Sequence, residues 1–242
     1  MHQKGLLTYA LNSIGNLVYI DEVDTGQLCN CYCPSCKEKL VAKNGGMKRV
    51  HHFAHASGVD CENAYETMLH QLAKLRVQEA FLSKEVFNVG FEYRSYCPHV
   101  KTCAFVRYGN CYISTHKRFN LKEFYDSCEQ EIQYDSINRR SDLKIFSSKK
   151  PQLAPIYIEF FVTHASDVSK LHNGGKIIEV KIESENDIQR IVDDGFIESS
   201  KCDSRLLEGI ESENISETTF WGFKSEDYDA KNITQEIEFS RY

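Results

Sequence analysis

The sequence predicts an α/β fold preceded by a small β-rich, metal-stapled module, and three observations predict it. A Cys33-Pro34-Ser35-Cys36 knuckle is followed by His51, His52, His55 and Cys61. Residues 61–82 then carry Ala64, Met68, Leu69, Leu72, Ala73, Leu75 and Val77 at helical spacing, with no Gly or Pro among them. Downstream, strand-like apolar runs stand at 142–146, 156–162 and 176–182, the last two separated by a helix signal.

At 242 residues and 41% hydrophobic, the chain can bury one sizeable core and carry one or two small modules. No apolar run approaches the roughly 18 residues of a membrane span, so no membrane partner is expected. The start, Met1-His2-Gln3-Lys4-Gly5-Leu6-Leu7, lacks the apolar core of a signal peptide. Ten cysteines could mean disulfides, but their short spacings beside histidines point to metal-binding thiols in a reducing, cytoplasmic setting. The net charge of −6 is no nucleic-acid-binding signature. An enzyme that holds divalent cations can nevertheless confine its basic residues to one face.

Taken in order, residues 6–10 and 17–20 flank Gly15-Asn16 and predict a hairpin. Asn44-Gly45-Gly46 predicts a second hairpin turn inside the Cys/His-rich stretch 29–61, and Asp60 can cap the helix that follows. Strand-like pieces at 86–91 and 111–113 surround a second Cys/His group, and a short helix is expected at 121–131. The three strands come next, with a proline-containing loop at 147–155 and a helix from Ser166 to Gly174-Gly175. Ser184-Glu185-Asn186-Asp187 opens another helix as a capping box. Beyond Cys202 the tail is acidic and weakly patterned until Phe220-Trp221-Gly222-Phe223. The order helix, strand, strand, helix, strand matches a restriction-endonuclease-like core. It divides the chain into a zinc-binding β-hairpin module at 1–61, an α/β domain at 62–200 with a Cys/His insert at 91–118, and an acidic extension at 201–242.

Cys33 and Cys36 place two thiolates on one side of a tight turn, where Zn²⁺ can take both. His52 and His55 complete a tetrahedral set, Cys61 is the alternative to one histidine, and Cys29 and Cys31 are further candidates. Four protein donors leave no open position, which makes such a site structural. Cys97, His99, Cys103 and Cys111 form a looser set that either holds a second zinc or stays as partly buried thiols. Cys128 and Cys202 read as isolated buried thiols.

Glu66, His70 and Lys74 recur every four residues on one face of the first helix, as a solvated stripe or a functional one. Asp142 stands among Leu143, Ile145 and Phe146, and Glu159 among Ile156, Ile158, Phe160 and Val162. A carboxylate in such a buried strand is costly unless it is paired or binds a metal. Two of them on adjacent strands suit a catalytic Mg²⁺ or Mn²⁺, which activates water and stabilises displacement at phosphorus. Lys37, Lys39, Lys43, Lys48 and Arg49 around the zinc hairpins, with Arg139 and Arg140 before Asp142, form a patch able to hold phosphates.

Two sets of motifs carry a family resemblance. One is Cys33-Pro34-Ser35-Cys36, His52-Phe53-Ala54-His55 and Glu66-Thr67-Met68-Leu69-His70-Gln71-Leu72-Ala73-Lys74. The other is Arg140-Ser141-Asp142, Ile158-Glu159-Phe160-Phe161-Val162-Thr163-His164 and Ile177-Ile178-Glu179-Val180. Together they resemble the competence protein CoiA-like family over residues 6 to about 190. The resemblance implies a PD-(D/E)xK nuclease-like domain behind a zinc-binding amino-terminal region. It implies acidic residues at Asp142 and Glu159, with Glu66, His70 and Lys74 facing the same pocket; His164 is a further pocket candidate.

One departure matters. The motif lysine belongs two residues after Glu159, where this chain has Phe161. Lys74 or His70 supplies the function from the helix, or Lys181 does so from the next strand, or hydrolysis is lost and only nucleic-acid binding is kept. The expected function is Mg- or Mn-dependent hydrolysis of phosphodiester bonds, with DNA preferred over RNA. One alternative is a catalytically inactive nucleic-acid-binding or partner-recruiting module on the same fold. Another is a zinc-stabilised protein of a larger DNA-processing or defence complex, docking through Phe220, Trp221 and Phe223.

Overall fold

A computed structural model describes residues 5–59, 61–96, 99, 102, 112–133, 140–163, 175–198, 218–221 and 223. The expectations for Asp60, Cys97, Cys103, Cys111, Arg139, His164, the helix from Ser166, Cys202 and most of the acidic extension fall outside those residues.

Two hairpins build the amino-terminal module. β1 (Tyr9–Leu11) pairs antiparallel with β2 (Leu17–Tyr19). β3 (Leu40–Lys43) pairs antiparallel with β4 (His52–His55), Leu40 opposite His55 and Lys43 opposite His52. Isolated bridges Leu7–Phe53, Leu11–Tyr32 and Gly26–Ala42 tie the hairpins together. The tight turn expected at Asn44-Gly45-Gly46 is instead a longer connection over residues 44–51. Asn44 explains the difference: its Nδ2 donates to Ile20 O at 2.8 Å and Val23 O at 2.9 Å, which anchors it to the preceding segment.

α1 (Ala64–Ser83) follows where the apolar spacing places it, and Met68, Leu69, Leu72, Ala73, Val77 and Phe81 are buried along it. β5 (Asn88–Tyr96) and β6 (Tyr112–Asn120) then form a long antiparallel hairpin. The helix expected at 121–131 is a correction. Only Leu121–Glu123 make a 3-10 turn, and β7 (Ser127–Gln133) is a strand. Pairing with the next strand sets Cys128 opposite Ile145, both buried, and this outweighs the helix preference of Glu129, Gln130 and Glu131.

β8 (Arg140–Phe146), β9 (Ile156–Phe161) and β10 (Lys176–Lys181) make the centre of the main sheet. α2 (Glu185–Asp194) begins in the expected capping box of Ser184 and Asp187. β11 (Phe196–Ile197) pairs parallel with β5, and β12 (Thr218–Trp221) pairs antiparallel with β10. The main sheet has the order β12-β10-β9-β8-β7, parallel between β10 and β9 and antiparallel elsewhere. Leu143, Ile145, Ile156, Ile158, Ile178 and Val180 are wholly buried and share one core with the apolar residues of α1. Phe220 and Phe223 pack on Phe91 of β5, at ring-centroid distances of 5.4 and 5.9 Å, so these aromatics join the sheet to the long hairpin. No helix among the described residues is long and apolar enough to cross a membrane.

Candidate metal cluster and carboxylate–histidine site

Four donors converge at the junction of the amino-terminal module and α1. One ligand atom each of Cys33, Cys36, His55 and Cys61 lies within 4.8 Å of the others, and among the described residues no other group of three or more potential ligands does so. Cys36 Sγ and His55 Nε2 are 3.3 Å apart. A tetrahedral zinc with Zn–S and Zn–N bonds of about 2.3 and 2.0 Å has ligand–ligand edges of roughly 3.5–3.8 Å, so this Cys3His set fits an ion such as zinc. The knuckle is shaped by main-chain bonds: Cys33 N–H donates to Glu38 O at 2.8 Å, and Lys37 N–H donates to Cys33 O at 3.1 Å. Lys37 adopts φ 63°, the left-handed geometry that closes the turn.

The electrostatics suit deprotonated sulfur at one ligand and resist it at another. Burial pushes the Cys33 thiol up to about 11. Burial also acts to raise Cys61, yet hydrogen bonds from Ser35, Cys36, the Asn63 main chain and Cys33 outweigh it and hold that thiol below its ordinary value. A bound cation stabilises every thiolate around it, which removes the penalty at Cys33.

His52 is a correction to the predicted ligand set. It lies three residues before His55 on a strand, so the two side chains leave opposite faces of β4. The same spacing on a helix would bring them together. His52 Nδ1 is instead within 2.9 Å of Val50 O. Cys61 takes the fourth place, delivered by the segment that enters α1. Cys29 and Cys31 stay outside the cluster: Cys29 Sγ donates to Leu40 O at 3.5 Å, and Cys31 Sγ to Cys29 O at 3.2 Å. His99, of the second proposed zinc set, is exposed, and its three cysteine partners are not among the described residues.

A second constellation forms where α1 meets the main sheet. The stripe Glu66, His70, Lys74 crosses three strands in turn. Glu66 Oε1 accepts from Thr163 Oγ1 at 2.9 Å, just beyond β9. His70 Nε2 lies 2.9 Å from Asp142 Oδ2 on β8. Lys74, itself buried, forms an ion pair with Glu131 on β7. Asp142 Oδ2 also accepts the Phe160 N–H at 2.8 Å, so the carboxylate is fixed from α1 and from β9.

Register organises the remaining carboxylates. β8 and β9 pair through Leu143–Ile158, and continuing by one residue sets Asp142 level with Glu159. In the parallel β9–β10 pair, Glu159 lies beside Glu179 and Phe161 beside Lys181. Partners in register point to the same face. Asp142, Glu159 and Glu179 are 8%, 4% and 5% exposed, a concentration of buried acid that demands compensation. Lys181 Nζ is 2.9 Å from Glu183 Oε1.

Glu131 and Thr163 were not singled out as site residues from the sequence, and Glu179 stood there only within the motif that leads into Lys181. Glu179 carried the same signal as Glu159, a carboxylate inside an apolar strand run. Glu131 carried none, because its segment read as a helix.

Residues 20–64 match the family model described as competence protein CoiA, N-terminal domain. That stretch contains all four residues of the Cys3His cluster. The match supports the family resemblance over this segment. No curated protein and no solved structure matches the chain.

Proposed function

We propose that this chain is a divalent-metal-dependent nuclease, or nuclease-like DNA-processing factor, of the PD-(D/E)xK type, acting on DNA in the cytoplasm. On this reading the zinc-bearing module at 1–61 precedes a nuclease-like domain at 62–200. One observation carries it: a helical stripe of acid, imidazole and amine is turned onto the sheet, with His70 against Asp142 across 72 positions of sequence. A stripe that merely kept α1 soluble would face water. The passage from α1 through antiparallel β7, β8 and β9 to a parallel β10 supports the same fold assignment.

Asp142 and Glu159 offer hard oxygen donors on adjacent strands, a donor set that suits Mg²⁺ or Mn²⁺. Such an ion supplies charge stabilisation at phosphorus and a more acidic water. His70 acts as a positioning residue, holding the Asp142 carboxylate in place. Glu66 and Thr163 close the side of the site beyond β9.

A positive group must still stand in for the lysine absent at Phe161. Lys74 is paired with Glu131, and Lys181, which lies beside Phe161 on the neighbouring strand, is paired with Glu183. Cleavage of plasmid and oligonucleotide DNA with Mn²⁺ tests the reading. Wild type should cut and Asp142→Ala should not. Whichever of Lys74→Ala and Lys181→Ala lowers turnover by about 10²–10³-fold identifies the electrostatic stabiliser.

Phe161 also favours a second reading, a catalytically inactive nucleic-acid-binding module on the same fold. Wild type that binds DNA but cuts neither single nor double strands with Mg²⁺ or Mn²⁺ would establish it.

A further inference from the structure

We infer that the β3–β4 connection is a phosphate-binding surface for the nucleic-acid backbone, with His52 as part of its wall. The connection borders an open cleft of about 700 Å³ lined by Lys43, Gly45, Gly46, Met47, Lys48, Arg49 and His52. No carboxylate lines it. Lys43, Lys48 and Arg49 are exposed, and no ion pair among the described residues uses them. Three cations, Lys43 at the end of β3 and Lys48 and Arg49 on the connection, repel one another, and a polyanion relieves that repulsion.

Geometry adds to charge. Lys43 and His52 are cross-strand partners and therefore share a face of the hairpin. This is the face opposite His55, so the hairpin uses one side for metal and the other for the basic cleft. With Nδ1 donating to Val50 O, Nε2 can donate to a phosphate oxygen only when the ring is imidazolium, and it is in that form that His52 contributes to the cleft.

The connection is also held in shape before any ligand arrives. Asn44 is bonded to Ile20 O and Val23 O. His51 bridges Asp21 and Gly46 O, the latter at 2.7 Å, so the nearby Asp21 carboxylate is occupied by an imidazole. A preorganised cationic loop loses little entropy on binding. Phosphates spaced along a backbone suit several separate cations better than a single small anion does.

The inference rests on the reading of DNA as the ligand, but not on catalysis. The test uses the full zinc-loaded chain carrying Asp142→Ala, with a fluorescein-labelled DNA duplex followed by anisotropy across a salt series. Lys43→Gln, Lys48→Gln and Arg49→Gln combined should weaken binding by at least about tenfold at low salt. The slope of log affinity against log salt should fall by about one per side chain removed. Lys149→Gln, an exposed cation of the β8–β9 loop outside the cleft and outside the basic patch, should leave binding within about twofold. His52→Ala should weaken binding while zinc content stays unchanged.

Unaltered DNA affinity in the triple variant overturns the inference, as does loss of zinc in His52→Ala. Triple-variant-sensitive binding to anionic phospholipid vesicles, without binding to the duplex, overturns it as well. Cleft-dependent DNA binding by a wild type that cuts nothing leaves the inference standing and removes the nuclease reading. Cleavage that persists with unchanged DNA affinity in the triple variant, made without Asp142→Ala, does the reverse.

Discussion

At the residue scale, the two histidines of β4 show how one backbone geometry assigns two roles. His55 meets Cys36 and His52 leaves by the other face. Zinc analysis of purified variants should therefore find metal lost in His55→Ala and Cys61→Ser and retained in His52→Ala; metal retained in Cys61→Ser would return His52 to the ligand set.

Their neighbour His51 is set apart by its two acceptors. The Gly46 carbonyl and then Asp21 raise its pKa above the ordinary 6.5. A raised folded value means that the tie is fully present below the ordinary pKa and is lost as pH rises through the folded one. Titration of the His51 ring by NMR should give a midpoint above 6.5 that drops in Asp21→Asn; a midpoint indifferent to Asp21 would mean that the bridge does not form. The buried Cys128 thiol, pushed up to about 12 by burial, should resist alkylation in the folded protein.

At the scale of elements, the seam between α2 and β11 depends on one glycine. Gly195 has φ 83°, and its N–H donates to Ile191 O at 2.9 Å as the helix ends. A Cβ built there would stand 2.0 Å from Asn88 O, a main-chain atom of β5 that cannot swing aside. Gly195→Ala therefore combines left-handed strain of roughly 1–3 kcal/mol with a forced separation of α2 from the long hairpin. Chemical denaturation should show a loss of at least that size, and a loss near zero would mean that the seam is loosely packed. Within α1, Leu72 is 3% exposed in the shared core, so Leu72→Ala should cost about 2–5 kcal/mol by the same measurement.

At the scale of the whole molecule, the Cys3His cluster joins separate parts of the chain: the knuckle, β4 and the approach to α1. Because metal binding and folding are coupled when no site exists in the unfolded chain, chelation should do more than fray the amino terminus. Thermal unfolding with a chelator, or of Cys33→Ser, should show collapse or aggregation of the protein; a soluble chain with an unshifted midpoint would mean that the cluster holds no metal.

Much of this arrangement was legible in the sequence because it is local. The knuckle is a four-residue turn, α1 is a periodic apolar stripe, and β8, β9 and β10 are apolar runs bounded by loops, each specified by neighbours in the chain. The tertiary structure decided what depends on pairing between distant segments. Strand geometry at β4 chose Cys61 over His52, since three residues along a strand reverse the side chain and along a helix do not. Pairing with β8 made a strand of Ser127–Gln133, and that strand brought Glu131 to Lys74. Thr218–Trp221 joined the main sheet because β10 offered it a partner. Glu159 gained Glu179, and Phe161 gained Lys181, through a register that no local pattern encodes. Side-chain spacing along one segment is written in that segment, whereas the side chain it meets is chosen by hydrogen-bond ladders and packing that close only when the whole chain has folded.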